Sequence, residues 1–286
     1  MSSIWLPPDS DIALAARGWP GPGVKPKDFE VNFSHPLVPD ANIIIPTLSG
    51  KLRDYKPGNI ARPSTDGTGN TYGVVDGEEV FSMSGTATNR TGDFSDVARS
   101  GTDNWSIVFR VKAPSSFSAY EYISAHDGPV WASLSHTNAG GDLILYDGSI
   151  QDTDYDTQLN EWVNVVFAMG GGSVDVFVNG TFQKTITTSS TNTTGNRLNL
   201  ANALSNNANT ASSADLSFYG VYNRKLTAVD AAELNKNPFC FLRPANDTPY
   251  LISIPGGGAG TTPTLSTATF NVTGQTTATV GCTVTF

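Results

Sequence analysis

Residues 161–185, EWVNVVFAMGGGSVDVFVNGTFQKT, decide the fold. Trp162, Asn164 and Val166 alternate with Val163, Val165 and Phe167, and β-branched and aromatic residues dominate, so the run predicts a strand. Gly170–Gly172 interrupts the run and reverses it. Val174, Val176 and Val178 then share one face, with Asp175, Phe177 and Asn179 on the other. Asn179-Gly180 predicts a type I′ turn, because both central residues of that turn need positive φ. A third strand, Thr181–Thr187, completes an antiparallel meander.

The same signal recurs on both sides. Upstream, strands are expected at Ala41–Pro46, Tyr72–Val75, Glu79–Met83, Trp105–Lys112, Glu121–Ser124, Val130–His136 and Asp142–Tyr146. Downstream they are expected at Asn199–Ala203 and Asp215–Tyr222. Short strands at even spacing, joined by Gly, Asn, Asp and Ser turns, predict an all-β protein of two packed antiparallel sheets. Each inward Val, Ile or Phe contributes roughly 1.5–3 kcal/mol on full burial, so this region can form its own core. One helix is expected: Thr227 caps it, Asp230 follows three residues on, Ala231–Leu234 are good helix formers, and Asn237-Pro238 stops it.

The remaining segments differ in composition. Residues 1–34 carry prolines at 7, 8, 20, 22 and 26 and read as an extended arm. Trp5, Leu6 and Trp19 are too apolar for a plain disordered tail, so the arm is expected to lie on its own domain or to dock on another chain. Residues 35–240 form the main domain, 241–262 have the Pro/Gly content of a linker, and 263–286 read as a β-hairpin tail. Two strands make no stable sheet alone, so the tail must pair elsewhere or open a partial immunoglobulin-like module.

Charge narrows the function. With 17 Lys and Arg against 26 Asp and Glu, the net charge is −9, and no basic stripe exists for nucleic-acid phosphates. No apolar run is long enough to span a bilayer. The N-terminus, MSSIWLPPDSDIALAARGWP, lacks a basic segment followed by an apolar one, so no signal peptide is expected. Asn-x-Ser/Thr triplets such as those at Asn89, Asn192 and Asn271 therefore read as turn chemistry. Two cysteines, Cys240 and Cys282, are too few for a disulfide framework, and leave open one bridge or two reduced thiols.

The motif order carries a family resemblance. Trp105-Ser-Ile-Val-Phe-Arg-Val, Glu161-Trp-Val-Asn-Val-Val-Phe, Val174-Asp-Val-Phe-Val-Asn-Gly and Asp215-Leu-Ser-Phe-Tyr-Gly-Val-Tyr-Asn-Arg-Lys-Leu-Thr resemble the concanavalin A-like, laminin-G-type jelly roll, in that family's order. The fold implied is a two-sheet antiparallel jelly-roll sandwich with an arm and a short C-terminal β segment. Ser34-His35-Pro36-Leu37 and Leu52-Arg53-Asp54-Tyr55 resemble the family's entry strand and following turn. The Pro-rich arm and Thr/Val-rich tail are similar to laminin-G-like virion proteins of tailed bacteriophages. That resemblance implies a non-enzymatic virion structural protein (capsid decoration, head fibre or tail component), folded in the host cytoplasm. It would be a homo-oligomer, held to other virion proteins through arm and tail. The alternative it carries is a module binding a host-surface glycan.

Glycoside hydrolases need two carboxylates facing one cleft, and no Glu-x-Asp-x-Glu run occurs; Glu78 and Glu79 are adjacent and would point to opposite faces of a strand. The chain is therefore expected not to be an enzyme, with a hydrolase lacking the usual carboxylate motif as a further alternative. Gly170-Gly-Gly has no following helix or Lys-Ser/Thr, so it is no phosphate loop. His35, His126 and His136 lack metal-ligand spacing. Two loops carry candidate binding groups. Trp131 and Tyr155, beside Asp127, offer ring faces and a polar rim suited to a pyranose, though core packing is the plainer role for Trp131. Asp147, Asp152 and Asp154 offer oxygens for calcium, the one cofactor considered, although acidic Asp-Gly turns are common in β proteins.

Overall fold

The computed structural model describes residues 2–5, 29–32, 35–47, 70–84, 104–117, 120–126, 130–136, 141–147, 149–187, 198–200, 212–244, 251–254, 264–265, 269–272, 278–281 and 284–285. Its strands are β1 Ser2–Trp5, β2 Phe29–Val31, β3 Ala41–Ile45, β4 Thr71–Val75, β5 Glu78–Ser82, β6 Trp105–Lys112 and β7 Tyr120–His126. They continue with β8 Val130–His136, β9 Asp142–Asp147, β10 Ile150–Asp156, β11 Trp162–Gly170, β12 Ser173–Val178, β13 Thr181–Thr187, β14 Leu198–Leu200 and β15 Asp215–Tyr222. Helix α1, Ala228–Lys236, precedes β16 Leu242–Pro244, β17 Leu251–Ile254, β18 Thr264–Leu265, β19 Thr269–Val272, β20 Ala278–Gly281 and β21 Val284–Thr285.

The chain divides into two compact units, residues 19–245 and residues 1–18 with 246–286. The larger holds an eight-stranded sheet ordered β13-β12-β11-β6-β15-β5-β4, with β3 also on β15, and a five-stranded sheet ordered β10-β9-β8-β7-β14. Every pairing is antiparallel, as the alternating pattern predicts. The all-β sandwich is thus as expected. Strand β15 has β6 on one side, while its other side is shared by β5 at Asp215–Leu216 and β3 at Tyr219–Tyr222.

Side-chain alternation sets two cores. Ile107, Phe109, Val165, Phe167, Val174 and Val176 of the large sheet meet Ile123, Leu134, Leu143 and Leu145 of the small one. The opposite face of the large sheet is apolar too: Val108, Val166, Phe177 and Phe218 pack with Ala231 and Leu234 of α1 and with Phe239 and Phe241. That second core explains why β6 and β15 read as almost continuous hydrophobic runs: both faces are covered. Burying two faces needs a cover element, and α1 with the segment after it supplies one.

The opening hairpin is built as its residues predict. Asn179 and Gly180 sit at φ 49° and 73°, and Gly171 and Gly172 turn at 63° and 78°. Thr227 accepts the Asp230 N–H and Asp230 returns the bond, forming the capping box that starts α1.

One stretch differs from expectation. Asp147 and residues 150–156, expected to lie in an acidic loop, instead belong to the end of β9 and to β10. Of the β10 side chains only Thr153 is buried, so the alternating apolar signal is missing. An edge strand tolerates such a sequence, because charged edges discourage further pairing. Asp154, at φ 58°, lies where the β9–β10 register shifts.

Residues of the arm and the linker also pair. Phe29–Val31 runs against Leu242–Pro244 in the larger unit, where Val31 and Leu242 join the outer core. In the smaller unit Ser2–Trp5 runs against Leu251–Ile254, β19 pairs β20 as the tail hairpin, and β18 pairs β21.

Candidate functional site

The residues singled out from sequence are only partly brought together. Asp127, Leu6, Trp19 and Cys282 lie outside the described residues, as do the expected turn at 52–59 and residues 201–203. Trp5 lies in β1 opposite Leu251, and Trp131 lies in β8 opposite Tyr146. Tyr155 lies in β10, across β9 from β8, and packs partly buried against the inner core. Burial, and then the negative charge of Glu161, raise the Tyr155 hydroxyl pKa above its ordinary value.

Asp152 and Asp154 make contacts with protein groups. Asp152 Oδ1 accepts the Asp154 N–H at 2.8 Å, and Asp154 Oδ2 pairs with Lys184 Nζ at 2.7 Å. Asp142 and Asp156 stand directly opposite each other across β9–β10. Desolvation, a hydrogen bond with Asp156 and the Asp152 and Asp156 charges raise the Asp142 pKa. Asp147 ends β9 opposite Val130. Among the described residues, no three His, Cys, Asp or Glu side chains converge in a way that would hold a metal. His35 is half-buried, and that burial, outweighing the Glu233 charge, lowers its pKa; its Nδ1 accepts the Leu37 N–H.

A wide, open concavity lies elsewhere, on the outer face of the large sheet. A groove of about 410 Å³ runs between the β12–β13 hairpin and the approach to α1, lined by Asp175, Phe177, Phe182, Lys225, Leu226 and Thr227. Phe182 is 51% exposed and meets Phe177 edge-on at 5.7 Å between ring centres. Lys225 Nζ lies 2.7 Å from Asp175 Oδ2, and Thr185 Oγ1 donates to Asp175 Oδ1 at 2.7 Å. Desolvation opposes the Asp175 charge, but the Lys225 and Thr185 hydrogen bonds win and hold its carboxyl below the ordinary range. The groove therefore presents a half-exposed aromatic ring beside a donor–acceptor pair.

The sequence places Asp175 and Phe177 on the face opposite Val174 and Val176 but assigns them no role. The available signal was Phe182, a large apolar residue on a third strand whose neighbours are polar. What it faces depends on Lys225 and Thr227, some forty residues later, and periodicity is blind to that distance.

A second polar cluster is structural in geometry. Arg110 Nε donates to both Glu78 oxygens at 3.2 and 3.1 Å, its Nη1 donates to Asn164 Oδ1 at 3.2 Å, and its guanidinium lies 4.5 Å from the Trp162 ring centre. Ser217 Oγ donates to Glu78 Oε2 at 2.7 Å. Trp162 Nε1 and Lys112 Nζ both donate to Asp76. The cluster fastens the β4–β5 turn to β6 and β11.

No known family matches the chain, and no curated protein does. Solved structures match in fold. Domain 4 of AbnA, an extracellular GH43 arabinanase from Geobacillus stearothermophilus solved in complex with arabinotriose, aligns with TM-score 0.52 at 15% identity. That alignment covers 73% of this chain and 100% of the domain. The binding domain of Paraclostridial Mosquitocidal Protein 1 aligns with TM-score 0.52 at 15% identity over 70% of this chain and 52% of its own. The botulinum neurotoxin serotype G binding domain does so with TM-score 0.52 and 15% identity over 68% and 50%. This chain spans about half the length of those two toxin domains. What the likeness shows is a shared β-sandwich.

Proposed function

We propose that this chain is a non-catalytic binding module whose ligand is a saccharide, held in the groove beside Phe182. The observation that carries it is the pairing of a half-exposed aromatic ring with the Asp175–Lys225 donor–acceptor pair in a concavity of about 410 Å³. Small-molecule sites occupy roughly 300–1,000 Å³ and combine apolar walls with a few placed polar groups. A sugar ring needs both, because its C–H face is apolar and its rim is hydroxylated. Two of the fold neighbours are called binding domains and a third was solved with an arabinan fragment, which supports the reading by analogy.

Hydrolysis is disfavoured at this groove by its own residues. Among the described residues lining it Asp175 is the single carboxylate, with Lys225 at one of its oxygens and Thr185 at the other. Glycoside hydrolysis needs a second carboxyl across the bond to be cut. In a bacteriophage particle, the setting implied by the sequence resemblance, such a module would serve attachment to the host surface; saccharide binding itself does not depend on that setting.

A glycan array followed by calorimetry on the intact chain tests the proposal. Saturable binding without turnover is the expected result. Product release from any bound oligosaccharide would overturn the non-catalytic assignment, and a blank array would overturn the saccharide.

A further inference from the structure

The polar part of the groove is an ion pair, and that selects among saccharides. Asp175 and Lys225 are 2.7 Å apart, so the groove carries both signs side by side and no net charge. Behind its α1-side wall Arg224 is held between Asp230 and Asp40, so one cation stands against two carboxylates there. An anionic sugar entering here meets a lysine already neutralised by Asp175, on a chain whose net charge is −9. A cationic sugar would have to compete with Lys225 for Asp175. A neutral polyol meets neither penalty. One hydroxyl can donate to Asp175 while its neighbour accepts from Lys225, whose ammonium has three donors. Thr185, already donating to Asp175, keeps that carboxylate aimed at the pair.

We infer that the groove takes a neutral oligosaccharide through adjacent hydroxyls on the Asp175–Lys225 pair, with a ring face on Phe182, and rejects uronic acid-containing glycans. The inference rests on the saccharide-binding reading and adds the ligand's charge class and the residues that set it. Asp175 is the specificity determinant: with its charge removed, Lys225 becomes an unneutralised cation in the same place.

The test uses the full chain and a small panel of probes: arabinotriose, cellotriose and mannotriose as neutral sugars, trigalacturonate as the anionic one. Wild type should bind at least one neutral trisaccharide and not trigalacturonate. Phe182→Ala should weaken that binding roughly tenfold or more through the lost ring face, with an unchanged circular dichroism spectrum. Asp175→Asn should gain trigalacturonate binding, on the order of tenfold, falling as salt is added. Lys225→Met should lose neutral binding without gaining anionic binding. Binding that survives Phe182→Ala and Asp175→Asn but is lost in Trp131→Ala or Tyr155→Ala would sink this site and leave the saccharide module standing. Salt-sensitive binding of trigalacturonate by wild type would overturn the charge class. Failure of every probe together with a blank array would remove the saccharide reading, and this inference with it.

Discussion

Arg224 grips Asp230 with both ends of its guanidinium, Nη1 to Oδ2 at 2.7 Å and Nη2 to Oδ1 at 2.8 Å, while its Nε reaches Asp40 Oδ2 at 3.0 Å. Asp230 is at the same time the third residue of α1, and its Oδ2 accepts the Thr227 N–H and hydroxyl at 2.8 Å each. Three residues before Thr227, the Arg224 carbonyl accepts from Ser106 Oγ of β6, and Ser106 Oγ in turn accepts the Leu226 N–H. The run Asn223–Thr227 is therefore a joint. It anchors the start of α1 to the sheet and, with Lys225 and Thr227, forms one wall of the groove.

Loosening the joint should be measurable in stability. Asp230→Ala removes a capping-box partner, worth about 1 kcal/mol, and a two-pronged ion pair worth about 1 kcal/mol at this partial exposure. We expect a loss of about 2 kcal/mol in urea unfolding by these two terms together. Arg224→Lys keeps the charge but not the fork, and should lose most of the pair's share while sparing the cap.

The same carboxyl should titrate far down the scale. Burial opposes ionisation of Asp230, but hydrogen bonds from Arg224 and Thr227 and the Arg224 charge carry its pKa from 3.8 to about 2. The folded value lies below the unfolded one, so this contribution to stability is full above the unfolded pKa and fades as pH falls through about 2. Carbon-detected NMR of the Asp230 carboxyl should show a midpoint near 2. In Arg224→Met that midpoint should move up toward the ordinary range; an unmoved midpoint would show that the arginine is not its cause.

Glu78 and Arg110 should be far more sensitive than any rim pair. Their side chains are 8% and 14% exposed, so removing one leaves the other charged and dehydrated. Glu78→Ala is expected to destabilise by about 3–5 kcal/mol. Changing both residues to apolar ones of similar size should recover much of that, since desolvation of both charges is then avoided. Chemical denaturation of the two single variants and the double variant measures the coupling.

Two glycines with the same backbone requirement should respond differently to alanine. Gly171 has φ 63° and an added Cβ would meet nothing within 4 Å, so Gly171→Ala should lose only the left-handed penalty of about 1–2 kcal/mol. Gly180 has φ 73°, and its added Cβ would lie 2.8 Å from Asn235 Cβ and 3.3 Å from Ala232 Cα of α1. Gly180→Ala should lose that penalty and displace the helix as well, with a larger drop in melting temperature. Equal losses would mean that the helix yields freely.

Gly180 also marks how far the residues alone can be read. Its place in an Asn-Gly turn follows from local dihedral preference, as do β6, β8, β13 and β15, whose expected bounds match the observed ones. The Thr227 cap was equally legible, because capping is a bond across three residues. Strand β10 was not, since an edge strand with one buried residue has no apolar period to detect. Pairing of the arm's Phe29–Val31 with Leu242–Pro244 was also out of reach, being set by contacts across more than two hundred residues.

By itself, then, the amino-acid order determined the antiparallel all-β class, the central meander and the capped helix, because alternation, turn dihedrals and capping are local physics. Only the tertiary structure decided that the meander's outer face is covered by α1, that Gly180 must clear Asn235, and that Asp175, Phe182 and Lys225 meet in one groove. The physical reason is range. A period of two says which side chains share a face of one strand, but what stands opposite that face depends on where a distant, separately anchored segment comes to rest, and here Arg224, Asp230 and Ser106 set that place.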